Sequence, residues 1–482
     1  MKVTEYARYD ATGLAELVEK KKVTPKELAL AAQKAIELAN PEIKAVVELY
    51  PDRIEGLDQK SLTDGPFRGV PFLMKDVFGH EKGRKIEFGS RLCEGMICEA
   101  DTYYTTQLRD AGVNIIGRTA APEYSMSATT ECRLYGNTST PWKKGFSAGG
   151  SSGGAAAAVA SGMVPIAHGS DIGGSIRIPA SWCGGVGLKP SRGRVSIGPV
   201  VDEGGLGLSA NMVQTQTVRD AAAMLDCISN PQIGDPFIIP KPDKSYRKFI
   251  RKPQSYKVGL VLDEFFGVAV DPEVKGAVEA TARALEELGH EVDIVKVDFG
   301  GLDFLRSVND LFFFGFNLRL DAYGRKTGRT PSAETLEPVI HMIYEWSKGI
   351  TPERFFAALA AANVGRRNGA KVFAAYDIML TPTNARPSEA WGKYNLSRPG
   401  VTMDNFLSTL FAEPIQYTMP HNVMGTPAIS LPLAMHSTGV PIGVQLAAKP
   451  ADEHVILNVA AQLEEAMPWH KRVPPLHVTN LS

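Results

Sequence analysis

Gly149-Gly150-Ser151-Ser152-Gly153-Gly154 and Asp171-Ile172-Gly173-Gly174-Ser175 stand in one stretch that closes at Gly187-Leu188-Lys189-Pro190. Glycine loses more backbone freedom on folding than any other residue, so two such clusters need a reason. Either the backbone adopts conformations barred to other residues, or a ligand approaches the main chain closely. In the second cluster, the four amides from Ile172 to Ser175 can converge on one point, and the run ends in a hydroxyl. Convergent N–H donors beside a nucleophile suit acyl transfer, where negative charge develops on the carbonyl oxygen. The stretch therefore reads as the centre of a serine hydrolase.

Around it, strands alternate with helices. Ala155–Ala160 is an alanine run with helical propensity, and the serines before it suit a cap. Upstream, Thr24-Pro25-Lys26-Glu27 is a capping box that opens a helix to Leu38, which Asn40-Pro41 is expected to stop. Ala45–Leu49, Val70–Met74 and Val113–Ile116 read as strands. Residues 238–255 are rich in proline and charge and read as a surface connection. A strand–helix–strand unit follows: Lys257–Leu262, a helix capped by Asp271-Pro272-Glu273, and Glu291–Val297. Asp377–Leu380 returns to the same core. This alternation predicts an α/β architecture. The helical stretches Leu302–Leu320 and Thr351–Phe373 are expected to shape a substrate pocket. Core packing is expected for Phe312, Phe313, Phe314 and Phe316, since aromatic residues are mostly buried.

Three motifs resemble one family in order. The run from Gly149 to Ser191 is similar to the signature stretch of the amidase signature hydrolases. Gly69-Val70-Pro71-Phe72-Leu73-Met74-Lys75-Asp76 resembles the family's lysine motif. Asn422-Val423-Met424-Gly425-Thr426-Pro427-Ala428-Ile429-Ser430, followed by Gly439–Gln445, resembles its C-terminal segment. Within the family, the chain resembles the bacterial stand-alone enzymes that act on xenobiotic-type amides, the cyclic-dimer hydrolases of nylon oligomers and the aryl acylamidases. The resemblance implies a central mixed, twisted β-sheet covered by helices on both faces. It also implies a single domain over 1–482, with a signature core at about 65–200 and a specificity elaboration at about 300–410.

It implies a mechanism as well. Ser175 would be the nucleophile, Ser151 the relay and Lys75 the base, with a cis peptide at Gly150–Ser151. Ile172, Gly173 and Gly174 would offer backbone N–H groups to the oxyanion. Lys75 would have to be neutral, and its position in the apolar run Val70–Phe78 favours that, because desolvation disfavours an ammonium. Ser152 would bond to Lys75 or to the loop backbone, and Ser170 would hold the nucleophile's hydroxyl. Asp171 and Arg177 would clamp the loop. Taken one at a time these residues have plainer readings: Lys75 a strand-end lysine paired with Asp76, Ser151 and Ser175 caps, Asp171 and Arg177 a surface ion pair. Their joint occurrence favours catalysis.

Composition excludes several classes. The 482 residues carry a net charge of −1, which supplies no field for nucleic acid or an anionic membrane. The N-terminus turns polar at once and no apolar run has membrane length, so a cytoplasmic enzyme is expected. Five cysteines do not make a disulfide framework, and Cys93 and Cys98 lack partners with metal-ligand spacing, so neither metal nor cofactor is expected. A small-molecule amide is the expected partner of a monomer or homodimer. The nucleophile-elbow pattern around Ser151 or Ser152 lacks a preceding strand, since Pro141–Gly145 is a poor one. A phosphate loop lacks its Gly-Lys-Ser/Thr. The alternative that keeps the fold is the catalytic subunit of a tRNA-dependent amidotransferase.

Overall fold

Eleven strands drawn from nearly the whole chain form one sheet in the computed structural model, which describes residues 1–201 and 203–482. In chain order they are β1 (Val46–Leu49), β2 (Pro71–Lys75), β3 (Asn114–Thr119), β4 (Ile166–Asp171), β5 (Val186–Lys189), β6 (Ala210–Thr215), β7 (Lys257–Leu260), β8 (Glu291–Ile294), β9 (Ile378–Pro382), β10 (Ala428–Met435) and β11 (Pro441–Ala448). Their spatial order is β1-β3-β2-β4-β6-β5-β10-β11-β9-β7-β8. The β3–β2–β4 and β9–β7–β8 groups are parallel and the remaining pairs antiparallel, so the sheet is mixed.

Alternation along the strands shows that both faces are covered. On β9, Ile378 and Leu380 join one apolar cluster while Met379 joins another, and on β11 Leu446 and Ala448 part from Ala447 in the same way. Successive strand side chains point to opposite faces, so these clusters lie on the two sides of the sheet. One holds Val274, Val278 and Leu285 of the Pro272–Glu287 helix with Ile456 and Leu463 of the Glu453–Ala466 helix. The other holds Phe304, Leu305 and Val308 of the Gly301–Phe313 helix with Ala358 and Ala362 of the Pro352–Ala370 helix. The α/β sheet with helices on both faces matches the expectation. Among the described residues, no helix is long and apolar enough to cross a membrane.

Two local expectations fail. The helix opened by the Thr24 capping box does not stop at Asn40-Pro41 but runs to Ile43. Pro41 lies in its last turn. The Asn40 carbonyl accepts from Lys44 N–H at 2.7 Å, and the Asn40 side chain bonds Ala45 and Val46, so the chain turns into β1 after the proline. The stretch read as one helix over Leu302–Leu320 is two, Gly301–Phe313 and Phe316–Thr327, parted at Phe314-Gly315 where Gly315 has φ 70°. That left-handed step suits glycine and turns the second helix away from the first.

At the β1–β3–β2 edge, Arg118 of β3 is 3% exposed and binds three carboxylates. Its Nε is 2.7 Å from Glu48, its Nη2 is 2.7 Å from Glu87, and its Nη1 is bonded to Asp76. Tyr135 Oη lies 2.8 Å from both Asp76 and Glu87. The cluster fixes the chain just past the end of β2. Removing one partner from a buried ionic network strands the others, at about 3–5 kcal/mol. We expect Arg118→Ala to destabilise the fold by that amount in urea unfolding; a loss below about 1 kcal/mol would place Arg118 among ordinary exposed pairs.

Candidate active site

Lys75 ends β2 with its side chain fully enclosed, 1% exposed. β4 runs parallel beside it, in register through Phe72 with Ile166 and Leu73 with Ala167, which brings Ser170 alongside. Lys75 Nζ is 2.7 Å from Ser151 Oγ and 2.9 Å from Ser170 Oγ. No carboxylate lies within ion-pair distance of it among the described residues; Asp76 is taken by Arg118, so the reading of Lys75 as a surface partner of Asp76 is set aside. Burial pushes the Lys75 ammonium well below the usual lysine value, opposed in part by the negative charge of Asp171. The side chain is held between two hydroxyls, and burial disfavours its charged form.

Ser151 follows a cis peptide from Gly150, as the resemblance implies. Gly150 is required by close approach: a Cβ there would stand 2.6 Å from the Thr129 backbone. Ser152 joins the two glycine clusters. Its N–H donates to the Ser175 carbonyl at 3.2 Å, and its hydroxyl donates to Ser170 O and accepts from Ser170 N, both at 3.2 Å. Of the two partners expected for Ser152, the backbone is the one found. Ser170 differs from expectation, since its hydroxyl meets Lys75 rather than Ser175. Ser175 is half-buried at the turn between β4 and the Arg177–Cys183 helix, and its hydroxyl has no hydrogen-bond partner among the described residues.

That turn is braced by Asp171 and Arg177, both fully buried rather than at the surface. Arg177 Nε and Nη2 each lie 3.0 Å from the Asp171 carboxylate. Burial alone would raise the Asp171 pKa, but the Arg177 charge and hydrogen bonds hold it well below the usual carboxylate range. Asp171 also takes the N–H of Gly174 at 2.8 Å and of Ile176 at 3.1 Å. Gly174, expected among the oxyanion donors, thus has its amide engaged within the turn. The N–H groups of Ile172, Gly173 and Ser175 have no acceptor among the described residues.

The C-terminal segment closes the turn from behind. Arg177 Nη1 donates to Thr418 O and Gln445 Oε1, both at 2.8 Å, and Nη2 to Asn422 Oδ1 at 2.6 Å. Asn422 Nδ2 donates to Asp171 Oδ1 at 2.9 Å, and Thr418 Oγ1 to Gly173 O at 2.6 Å. Asn422 and Gln445 stand in the motif that carries the resemblance, but sequence reasoning gives them no role. Nothing in the local sequence marks Thr418.

A pocket with an empty volume of about 630 Å³ opens on Gly150, Ile172, Gly173 and Ser175. Its other walls come from Ser125–Ala128, from Leu305, Val308, Asn309, Phe312 and Phe313 of one helix, and from Phe406, Phe411, Ile415 and Met419. Phe313 is buried in an apolar cluster as expected, Phe312 packs half-buried against that cluster, and both also border this pocket. Phe316 is buried as expected, and Phe314 is 41% exposed and packs against Phe355. Among the described residues, no lining side chain is ionisable. His168, the histidine nearest Ser175 in sequence, is buried on β4. Its Nδ1 accepts from Lys75 N–H at 3.3 Å, and burial pushes its pKa down to about 3.

The sequence matches the family described as Amidase over residues 27–457. The chain belongs to the amidase signature family. It is 36% identical to the 6-aminohexanoate-cyclic-dimer hydrolase of Paenarthrobacter ureafaciens over 97% of this chain and 96% of that protein. A solved structure of 6-aminohexanoate cyclic dimer hydrolase complexed with substrate superposes with a TM-score of 0.92 at 34% identity, covering 98% of this chain and 99% of that one. A glutamyl-tRNA(Gln) amidotransferase subunit from Synechococcus sp. (strain CC9311) is 31% identical over 95% of this chain and 97% of its own. The protein is a hydrolase acting on amide bonds, and its relationship to the cyclic-dimer hydrolases is closer than to the amidotransferase.

Because the Asp171 pKa is depressed on folding, its pairing with Arg177 stabilises the protein above the ordinary value of 3.8, and that contribution drains away as the pH falls below it. Asp171→Asn keeps the shape and removes the charge, leaving Arg177 buried without compensation. We expect about 3–5 kcal/mol of lost stability in urea at neutral pH; a variant as stable as the parent would mean that other groups compensate Arg177.

Proposed function

We propose that the protein cleaves the C–N bond of an uncharged, apolar amide through an acyl-enzyme on Ser175. The observation that carries this reading is the buried, carboxylate-free Lys75 amine 2.7 Å from Ser151, beside a pocket that contains Ser175. A serine hydroxyl needs a base to become a nucleophile. Ser175 Oγ attacks the carbonyl carbon while its proton passes to Ser151, and the Ser151 proton passes to Lys75. The oxygen that gains charge is received by the N–H groups of Ile172, Gly173 and Ser175. Lys75, now an ammonium, returns a proton through Ser151 to the departing amine. The C–N bond breaks, and an ester on Ser175 remains. Water, activated by the same relay, then releases the carboxylic acid and regenerates the serine. No step requires a metal or cofactor.

The pocket suggests the substrate class. Transferring an unpaired charge into a site with no ionisable lining group costs several kcal/mol, whereas aliphatic or aryl groups gain by burial. This favours neutral amides of aryl or xenobiotic type, with esters of similar shape also entering. A cyclic dimer of 6-aminohexanoate has no free amine or carboxylate end, so the compound in the name of those relatives is itself uncharged, which supports the reading. Greater identity to those enzymes than to the amidotransferase favours a stand-alone hydrolase. The five cysteines, all unpaired, suit a reducing cytoplasm.

On a matched amide and activated ester, Ser175→Ala is expected to lose several orders of magnitude in kcat on both. Lys75→Ala should damage the amide more than the ester, because an amine must be protonated to leave and a phenolate need not. In the parent, kcat/KM should fall as the pH falls and Lys75 gains a proton in the free enzyme. An active lysine variant beside an inactive His168→Ala would replace the relay with a histidine base.

The pocket generates a separate test. An amide whose acyl chain ends in a methyl group should be cleaved at least about 100-fold more efficiently than the same amide ending in a carboxylate or an ammonium. Equal kcat/KM for the three would show that the chain end does not enter this pocket.

A further inference from the structure

Gly173 and Gly174 flank a single peptide unit directly behind the atoms expected to carry the oxyanion. A peptide between two glycines rotates with little steric opposition, because neither neighbour has a Cβ to hinder it. Rotated, its carbonyl would point its negative end toward the pocket, where negative charge must be received. Both polar ends of this unit are instead held from outside. The Gly173 carbonyl accepts from Thr418 Oγ1 at 2.6 Å, and the Gly174 N–H donates to Asp171 Oδ1 at 2.8 Å. The Thr418 side chain also packs on Gly174: with φ 132°, a Cβ added there would stand 2.3 Å from Thr418 Oγ1. With its carbonyl drawn back and its N–H engaged, the unit leaves the Gly173 and Ser175 amides on either side without acceptors among the described residues.

We propose that Thr418 is a positioning residue, whose hydroxyl holds the Gly173–Gly174 peptide so that the amides of Gly173 and Ser175 face the substrate oxygen. This rests on the reading of Ser175 as nucleophile. Thr418 sits where the pocket wall meets this turn: the next residue, Met419, lines the pocket, and the Thr418 carbonyl accepts from Arg177. That carbonyl belongs to the backbone and survives any substitution at 418, and the hydroxyl's other contact, Ile415 O at 3.3 Å, is longer than its bond to Gly173 O.

Thr418→Val keeps the shape and removes the hydroxyl, while Thr418→Ser keeps the hydroxyl. Deleting an oxyanion donor outright lowers kcat by about 10²–10³, and misaiming donors should cost less, about 10–100-fold, with KM within about twofold. Affinity for a boronic acid that forms a tetrahedral adduct on Ser175 should fall in parallel, and Thr418→Ser should restore both. A valine variant with parental kcat and boronate affinity overturns the proposal. So does a valine variant that raises KM alone, or a serine variant impaired as badly as valine, since either would mean a role in packing. Ser175→Ala is measured beside them: if it is active, the nucleophile reading falls and this proposal with it, whereas if it is inactive while Thr418→Val is unaffected, only the role of Thr418 falls.

Discussion

One guanidinium, shut away from water, holds the Asp171–Ser175 turn together. Arg177 has five N–H donors, and each is used: two on Asp171, and one each on Thr418 O, Gln445 Oε1 and Asn422 Oδ1. A buried charge with any of these missing would be expensive. The constraint therefore acts on sequence positions more than two hundred residues apart. It draws the Asp171–Ser175 turn against the 417–422 segment and against β11 at the middle of the sheet. Everything in front of the turn is free to face substrate because everything behind it is satisfied.

Lys75 shows the opposite treatment of charge. Arg177 is given a carboxylate, whereas Lys75 is given two hydroxyls and has its ammonium disfavoured by burial. The sheet separates the two fates. Register between β2 and β4 brings Lys75 to Ser170, while Asp76, one residue further, is taken by Arg118 across β3. A shift of one residue would put the Asp76 carboxylate where the Lys75 side chain now stands.

Much of this is legible in the sequence for definite reasons. Glycine clusters mark close backbone approach, and Gly150 and Gly174 both lie where a Cβ would collide with neighbouring atoms. The apolar run before Lys75 marks its burial. Short-range signals fail where longer-range contacts decide. Pro41 reads as a helix stop, yet Asn40 turns the chain only after Ile43. Phe313 packs in the core as its residue type predicts, but only the placing of its helix brings it and Phe312 to the pocket wall as well. Ser170 finds Lys75 rather than Ser175 because sequence order gives no distance between neighbouring strands. Thr418 carries no signal, since a threonine acting on a carbonyl 245 positions away leaves no spacing to recognise.

The place of β10 and β11 has a consequence for how the protein is made. These strands come from residues 428–448, late in the chain, yet they sit inside the sheet, between β5 and β9. A chain still on the ribosome with only its first ~400 residues exposed already carries both glycine clusters, Lys75, Ser151 and Ser175. It lacks Thr418, Asn422 and Gln445, and β5 lacks the neighbour it pairs with through Gly187–Lys189. The buried Arg177 side chain therefore gains its last three acceptors, and β5 its strand partner, only once the residues up to Gln445 have emerged.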